Sequence, residues 1–273
     1  MRLAAVRDTF QRELVASIAA AMKAHAIAYI PGCADLGDFD ATSTTIALAP
    51  AGALGVLPRA AVDSTFERYW RFFDDRARGK ADWEAFTPYE VRTIGAFVRL
   101  GWRYRAQELL RFFLGYQRPP GWAQWAEVVW KDARTPHFIG DMPHTWVGSD
   151  FVRSVLDMLA YEREEDSTLV VGAGVPPLWV TPDPAPGHPV LAVRGLPTPY
   201  GKLTYTMRAT SVWTDTVEVR IERGLRVPAG GIVVRAPLRG PIGHATVNGA
   251  PVPVSGEGEV VVRELPADVV LRR

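Results

Sequence analysis

The chain has 273 residues, 48% hydrophobic and 22% charged, a balance that fits a globular protein able to bury a sizeable core. Thirty-one lysines and arginines against 30 aspartates and glutamates leave a formal charge of +1, so no basic or acidic excess points to nucleic acid or an anionic membrane. The single cysteine, Cys33, excludes an intrachain disulfide.

Up to about residue 170 the pattern is mostly helical. Arg7 and Asp8 break the first apolar run, so it does not read as a signal peptide. The compartment stays open: cytoplasm is the default, and an exported parent enzyme is compatible. Phe10, Leu14, Ile18 and Met22 recur every fourth residue as an amphipathic stripe. The most apolar stretch, 14–30, carries Lys23 and His25 and is too polar for a membrane span. Residues 30–40 read as a loop of turn formers. Asp40 or Thr42 is placed to cap a short helix ending near Pro50. A helix follows over Ala61–Arg76 with Phe66, Tyr69, Trp70 and Phe73 on one face. The next follows Pro88 and stops near Gly101; another runs from Trp102 to Leu114 with Ala106, Leu109, Leu110 and Phe113 inward. Trp122–Lys131 reads as a short helix, and Ser149 or Asp150 as the cap of one reaching Tyr161. Short connections imply antiparallel helical hairpins.

After Trp179 the character changes. Pro182–Pro189 holds four prolines and reads as a linker or rigid turn. Period-two strands then appear at 202–208, 216–222, 231–235, 245–248 and 259–263. Asn248-Gly249 is a strong type I′ hairpin signal. The prediction is an α+β multidomain chain, with a helical part over 1–180 and an antiparallel β-sandwich over 188–273.

The chemistry concentrates in Trp122-Ala-Gln-Trp125-Ala-Glu127 and in Gly140-Asp141-Met-Pro-His144-Thr-Trp146-Val-Gly148. Indole platforms beside carboxylates suit a sugar cleft, because pyranose rings present apolar C–H faces and glycosidic cleavage needs carboxyl groups. Glu127 is the leading candidate, since a carboxylate flanked by indoles can position a water. The plainer reading is a surface glutamate on a helix whose tryptophans are core. Asp141, His144 and Trp146 sit in a loop entering a helix, where they can bind hydroxyls or only cap and pack. His137, Asp141 and His144 match no standard metal spacing. Glu84, Tyr89, Glu90 and Arg92 form a third group. Glu90 and Arg92 can hold a substrate, or serve as a helix-end carboxylate and a surface arginine. Asp35, Asp38 and Asp40 lack the glycine and glutamate of an EF-hand and read as turn and cap residues. Cys33 reads as a small buried residue. Nothing in the sequence calls for a cofactor or metal: there is no phosphate loop, nucleophile elbow or Cys-x-x-Cys, and Gly172-Ala-Gly174 is too short for a nucleotide fingerprint.

The order of parts resembles the C-terminal portion of six-hairpin (α/α)6 glycoside hydrolases, nearest the α-L-rhamnosidase-like group. Trp125-Ala126-Glu127 is similar to that group's Trp-Glu-x-Trp motif, with one extra residue between Trp and Glu. Pro143-His144-Thr-Trp-Val-Gly148 is similar to its Asn-His-x-x-x-Gly loop, with proline for asparagine. Tyr200-Gly-Lys-Leu-Thr-Tyr205 resembles the opening of its closing sandwich. The resemblance covers nearly the whole chain on short motifs. It implies inverting hydrolysis with Glu127 as general base. Residue type makes Trp122, Trp125, Asp141, His144, Trp146, Glu90 and Arg92 the candidates to bind an oligo- or polysaccharide, and spacing offers no metal site. The resemblance also implies an incomplete toroid: about seven helices stand where twelve are needed, and the family's general acid lies upstream of the matched region. The acid then comes from the missing part, or less readily from Glu84, Glu90 or Asp141. Uncovered helix faces would favour self-association. A non-catalytic carbohydrate-binding or remnant scaffold protein remains the alternative. A toroid lyase or phosphorylase is a weaker one, kept open by Tyr89 and Arg92.

Overall fold

A computed structural model describes residues 2–133, 140–181, 191–210, 215–238 and 240–273. Within them the protein is α+β, with seven helices and three sheets. No described helix is long and apolar enough to cross a membrane. The chain divides into two compact units, Met1–Phe97 with Glu108–Ser154, and Val98–Gln107 with Val155–Arg273.

The first unit holds α1 (Arg2–Ala24), α2 (Ala41–Leu48), α3 (Arg59–Ala77), a 3₁₀ turn (Pro88–Val91), most of α4 (Arg92–Arg99), the later part of α5 (Arg103–Gly115) and most of α6 (Thr145–Leu159). Asp40 caps α2 as predicted, its carboxylate accepting from the Ser43 N–H at 2.9 Å. On α3, Phe66, Tyr69 and Phe73 are buried and Trp70 half-buried, so the predicted face is the packed one. Phe66 meets Phe97 edge-on at 6.1 Å and Phe73 meets Phe112 at 5.1 Å. Each buried phenylalanine contributes roughly 1.5–3 kcal/mol from removed apolar surface. The buried Thr65 hydroxyl donates to the Ala61 carbonyl at 2.8 Å and accepts the Ile30 N–H at 2.9 Å, fastening the 30–40 loop to α3. Cys33 lies exposed in that loop rather than buried. Its N–H donates to Asp38 at 2.7 Å, which keeps it at the turn surface.

The predicted helix over Trp122–Lys131 does not form. Gly121 and Ala123 take positive φ (83° and 52°), which ends any helical run. The backbone that follows bonds elsewhere: Glu127 N–H donates to the Asp141 carbonyl at 3.2 Å, and His144 N–H donates to the Trp125 carbonyl at 2.7 Å. The segment ends as β2 (Val129–Trp130), paired antiparallel with β1 (Ala85–Phe86). Helix α6 begins at Thr145, so Ser149 and Asp150 lie inside it rather than at its start.

The second unit carries β3 (Ala160–Arg163), β4 (Thr168–Val171), the single-turn α7 (Pro177–Val180), β5 (Leu191–Thr198), β6 (Gly201–Ala209), β7 (Thr216–Ile221), β8 (Gly231–Val234), β9 (His244–Val247), β10 (Ala250–Pro251), β11 (Val260–Val262) and β12 (Ala267–Arg272). The strands of this unit thus begin at Ala160, before the predicted change after Trp179. One sheet is antiparallel with order β10-β9-β12-β7-β6-β5. The other has order β11-β8-β4-β3, in which β4 and β8 run parallel. Alternation sets the inward residues: Leu203, Tyr205 and Met207 on β6, Val217, Val219 and Ile221 on β7, and Val269 and Leu271 on β12. Both sheets feed one buried cluster with Leu169, Val171, Ile232, Val234, Val260 and Val262. Asn248 and Gly249 turn β9 into β10 with φ of 50° and 81°, the predicted type I′ hairpin. The predicted proline linker falls outside the described residues.

Candidate functional site

The site is built on Thr87. Thr-Pro at 87–88 sets the 3₁₀ turn: proline takes the first position and the Thr87 hydroxyl accepts the Tyr89 N–H at 3.4 Å. The same hydroxyl donates to the Glu127 carbonyl at 3.1 Å, joining this turn to the 121–130 segment.

Glu127 is fixed at both backbone and side chain. Its Oε2 accepts the Asp141 N–H at 3.1 Å. Gly140, at φ 70°, makes this possible, since a Cβ there would stand 2.2 Å from Oε2. The other carboxylate oxygen accepts no hydrogen bond from the described residues. His144 stands on the same loop, its Nε2 2.6 Å from the Tyr89 hydroxyl, with the two rings edge-on at 5.4 Å. Its Nδ1 is buried without a hydrogen-bond partner among the described residues. Asp141 Oδ2 lies 3.7 Å from that nitrogen, beyond hydrogen-bond reach.

Tyr89 is the hub. Its hydroxyl is held above its ordinary pKa, first by burial and then by the negative charge of Glu127, with Arg92 opposing. Trp146 meets its ring at 6.4 Å and the Arg92 guanidinium lies 5.0 Å from its centre. Arg92 donates to Asp150 at 2.9 and 2.6 Å, and Arg153 adds a bond to the same carboxylate at 3.0 Å. The charge of Arg92 is therefore committed to Asp150. Trp125 is buried against Phe151, with ring centroids 5.0 Å apart. Trp122 and Trp146 are 65% and 67% exposed, which leaves both indoles open to a ligand face.

Glu127, Asp141, His144 and Trp146 thus share one cluster around Tyr89. Glu90 does not join it. It accepts from the Tyr69 hydroxyl at 2.7 Å and from Arg76 at 3.0 and 2.6 Å. These bonds face a separate cleft of about 220 Å³ with Phe39 and Phe72. Successive residues of a 3₁₀ turn point about 120° apart, which separates Tyr89 from Glu90. Burial, then the Glu90 charge, raises the Tyr69 pKa well above its ordinary value. Sequence reading placed Tyr89 only in a side group and passed over Thr87. The Thr-Pro start of the turn was a usable local signal, whereas the Tyr89–His144 bond spans 55 residues and left none.

His137 lies outside the described residues, and among those described no group of three or more histidines, cysteines or acids is placed to hold a metal. The arrangement offers a carboxylate anchored through one oxygen, a tyrosine–histidine pair and one exposed indole, Trp146. That set can orient a hydroxyl or a water beside a ring. No family model matches the chain, and no curated protein matches it.

Proposed function

We propose that the Tyr89–Glu127–His144 cluster is a carbohydrate site of glycoside-hydrolase type. The observation that carries this reading is the Glu127 carboxylate, anchored through one oxygen, beside the Tyr89–His144 pair and the exposed Trp146 indole. In this reading a pyranose lies against Trp146 or Trp122, and Glu127 takes a proton from an attacking water. Tyr89 and His144 orient the sugar hydroxyls. Asp141 is the second carboxylate of the loop and the one to examine as acid. Glu90 is not available as the acid, because both its oxygens are already bonded to Arg76 and Tyr69 in a separate cleft. The matching proposal for the fold is that the helices are hairpins of a partial (α/α) toroid and the two sheets a sandwich. Their shared buried cluster supports the sandwich.

The exposure of Trp122 and Trp146 suits the non-catalytic glycan-binding reading equally well. One experiment separates the two. The chain is assayed against nitrophenyl glycosides, α-L-rhamnoside included, and titrated with oligosaccharides by tryptophan fluorescence. The hydrolase reading expects turnover that falls about 10²–10⁴-fold in Glu127→Gln with KM little changed. Saturable binding without turnover selects the binding reading. Neither turnover nor binding removes both.

A further inference from the structure

A cleft of about 450 Å³ in the second unit has no part in the reading above. Arg103 lines it, and among the described residues its guanidinium donates only to backbone carbonyls: Ala173 at 2.9 Å, Ala236 at 3.0 Å, Gly172 at 3.2 Å and Arg235 at 2.8 Å. No described carboxylate pairs with it. Burial and the neighbouring Arg235 charge lower its pKa to about 10, so it stays a cation at neutral pH.

Arg235 lies beside it in the same cleft. Its side chain is largely buried yet donates no hydrogen bond to a described residue. The nearest carboxylates are Glu259 at 3.5 Å and Glu257 at 3.8 Å, too far for a good bond. Glu259 is already held by Arg163 at 2.8 and 3.1 Å. Glu257 is 69% exposed and keeps its loose place at little cost. Around these charges stand Leu238, Ile242 and the exposed Tyr104 ring. A partly buried guanidinium with idle donors beside a second cation demands an anion with planar oxygens. The apolar wall demands a ring or short hydrocarbon body.

We propose that this cleft binds a small organic acid carrying a ring, its carboxylate replacing Glu257 on the Arg235 fork and its body lying between Tyr104 and Ile242. The size of the cleft falls in the range of small-molecule sites, roughly 300–1,000 Å³. The proposal stands independently of the Glu127 cluster.

The test is calorimetric titration of the whole chain, at fixed ionic strength, with sodium benzoate, sodium glucuronate, inorganic phosphate and glucose. One of the ring acids saturates a single site and glucose does not. Arg235→Gln weakens that binding at least 10-fold. Glu257→Gln tightens it about 3-fold or more, because the competing carboxylate is gone. This second variant alters an exposed side chain and decides the matter even if Arg235→Gln misfolds. Glu127→Gln leaves the affinity unchanged, which separates this cleft from the first unit's cluster. The proposal fails if neither ring acid saturates, if phosphate binds as tightly as the ring acids, if Glu257→Gln binds no tighter than the parent chain, or if Glu127→Gln abolishes the binding.

Discussion

At His144 one nitrogen carries the whole hydrogen-bonding load. Nε2 meets the Tyr89 hydroxyl at 2.6 Å, while Nδ1 is buried with no hydrogen-bond partner among the described residues. Removing the Tyr89 hydroxyl would leave the ring without either partner, and a buried polar group left unsatisfied costs about 1–3 kcal/mol. Tyr89→Phe is therefore expected to lower unfolding stability in urea by that amount. Tyr104→Phe, at an exposed ring, should stay within roughly 0.5 kcal/mol of the parent. Equal effects of the two substitutions would show that the short Tyr89–His144 bond adds nothing to the fold. Residue identity told much less than this. The sequence marked Glu127, Asp141, His144 and Trp146 by type, and these do meet. It marked Glu90 by the same logic, and only the direction of one turn sends that carboxylate to Arg76 instead.

Among the elements, the β3–β4 hairpin ties a local turn to a distant strand. Asp166 accepts from Arg163 at 2.8–3.1 Å and from the Thr168 hydroxyl at 2.7 Å, and Arg163 reaches on to Glu259 just before β11. Burial alone would raise the Asp166 pKa, but the bonds from Arg163 and Thr168 outweigh it and hold the carboxyl below its ordinary value. A depressed folded pKa gives stability that is fully present above the unfolded pKa of about 4 and lost as pH falls through the folded value. The half-exposed setting limits this to about 1 kcal/mol or less. Asp166→Asn should thus destabilise at pH 7, and its gap to the parent should close toward zero in acid. A gap that ignores pH would mean the aspartate acts only through its shape. This hairpin was also the element the sequence hid best. Strands such as β6 and β7 alternate, because one face of each is buried, and that pattern is readable in single residues. All four residues of β4 are buried, so it has no alternation to show, and β3 before it follows α6 directly enough to pass for its tail. The false helix over 122–131 has the converse cause. Its helix-friendly residues were overridden by backbone bonds to residues 141 and 144, partners no local pattern records.

For the whole molecule, the sequence gives the succession of helices and then strands. The fold departs from it by assigning Val98–Gln107 to the same compact unit as the strands. Sequence distance carries no such information, because α5 reads as one continuous apolar stripe through Ala106 and Leu109. The stripe on α1 makes a different point. Ile18 is buried, and with Leu14, Ile30 and Leu57 it lines a groove of about 300 Å³. Toward the N-terminal end the same helix leaves Leu3, Val6 and Phe10 more than 60% exposed. Spacings of three and four residues put them on one face. Single exposed apolar residues are ordinary, but a row of them invites cover. We propose that chains associate through this row. Sedimentation equilibrium at tens of micromolar should give an average mass above the monomer, and the pair Val6→Gln and Phe10→Gln should return it to monomer without loss of helical circular dichroism. These positions make no buried contacts, so surface substitutions there shift stability by only about 0.5 kcal/mol, and a change of mass reports association rather than unfolding. A parent chain that stays monomeric across that range would show that this face is simply solvated, and the double variant would then sediment identically.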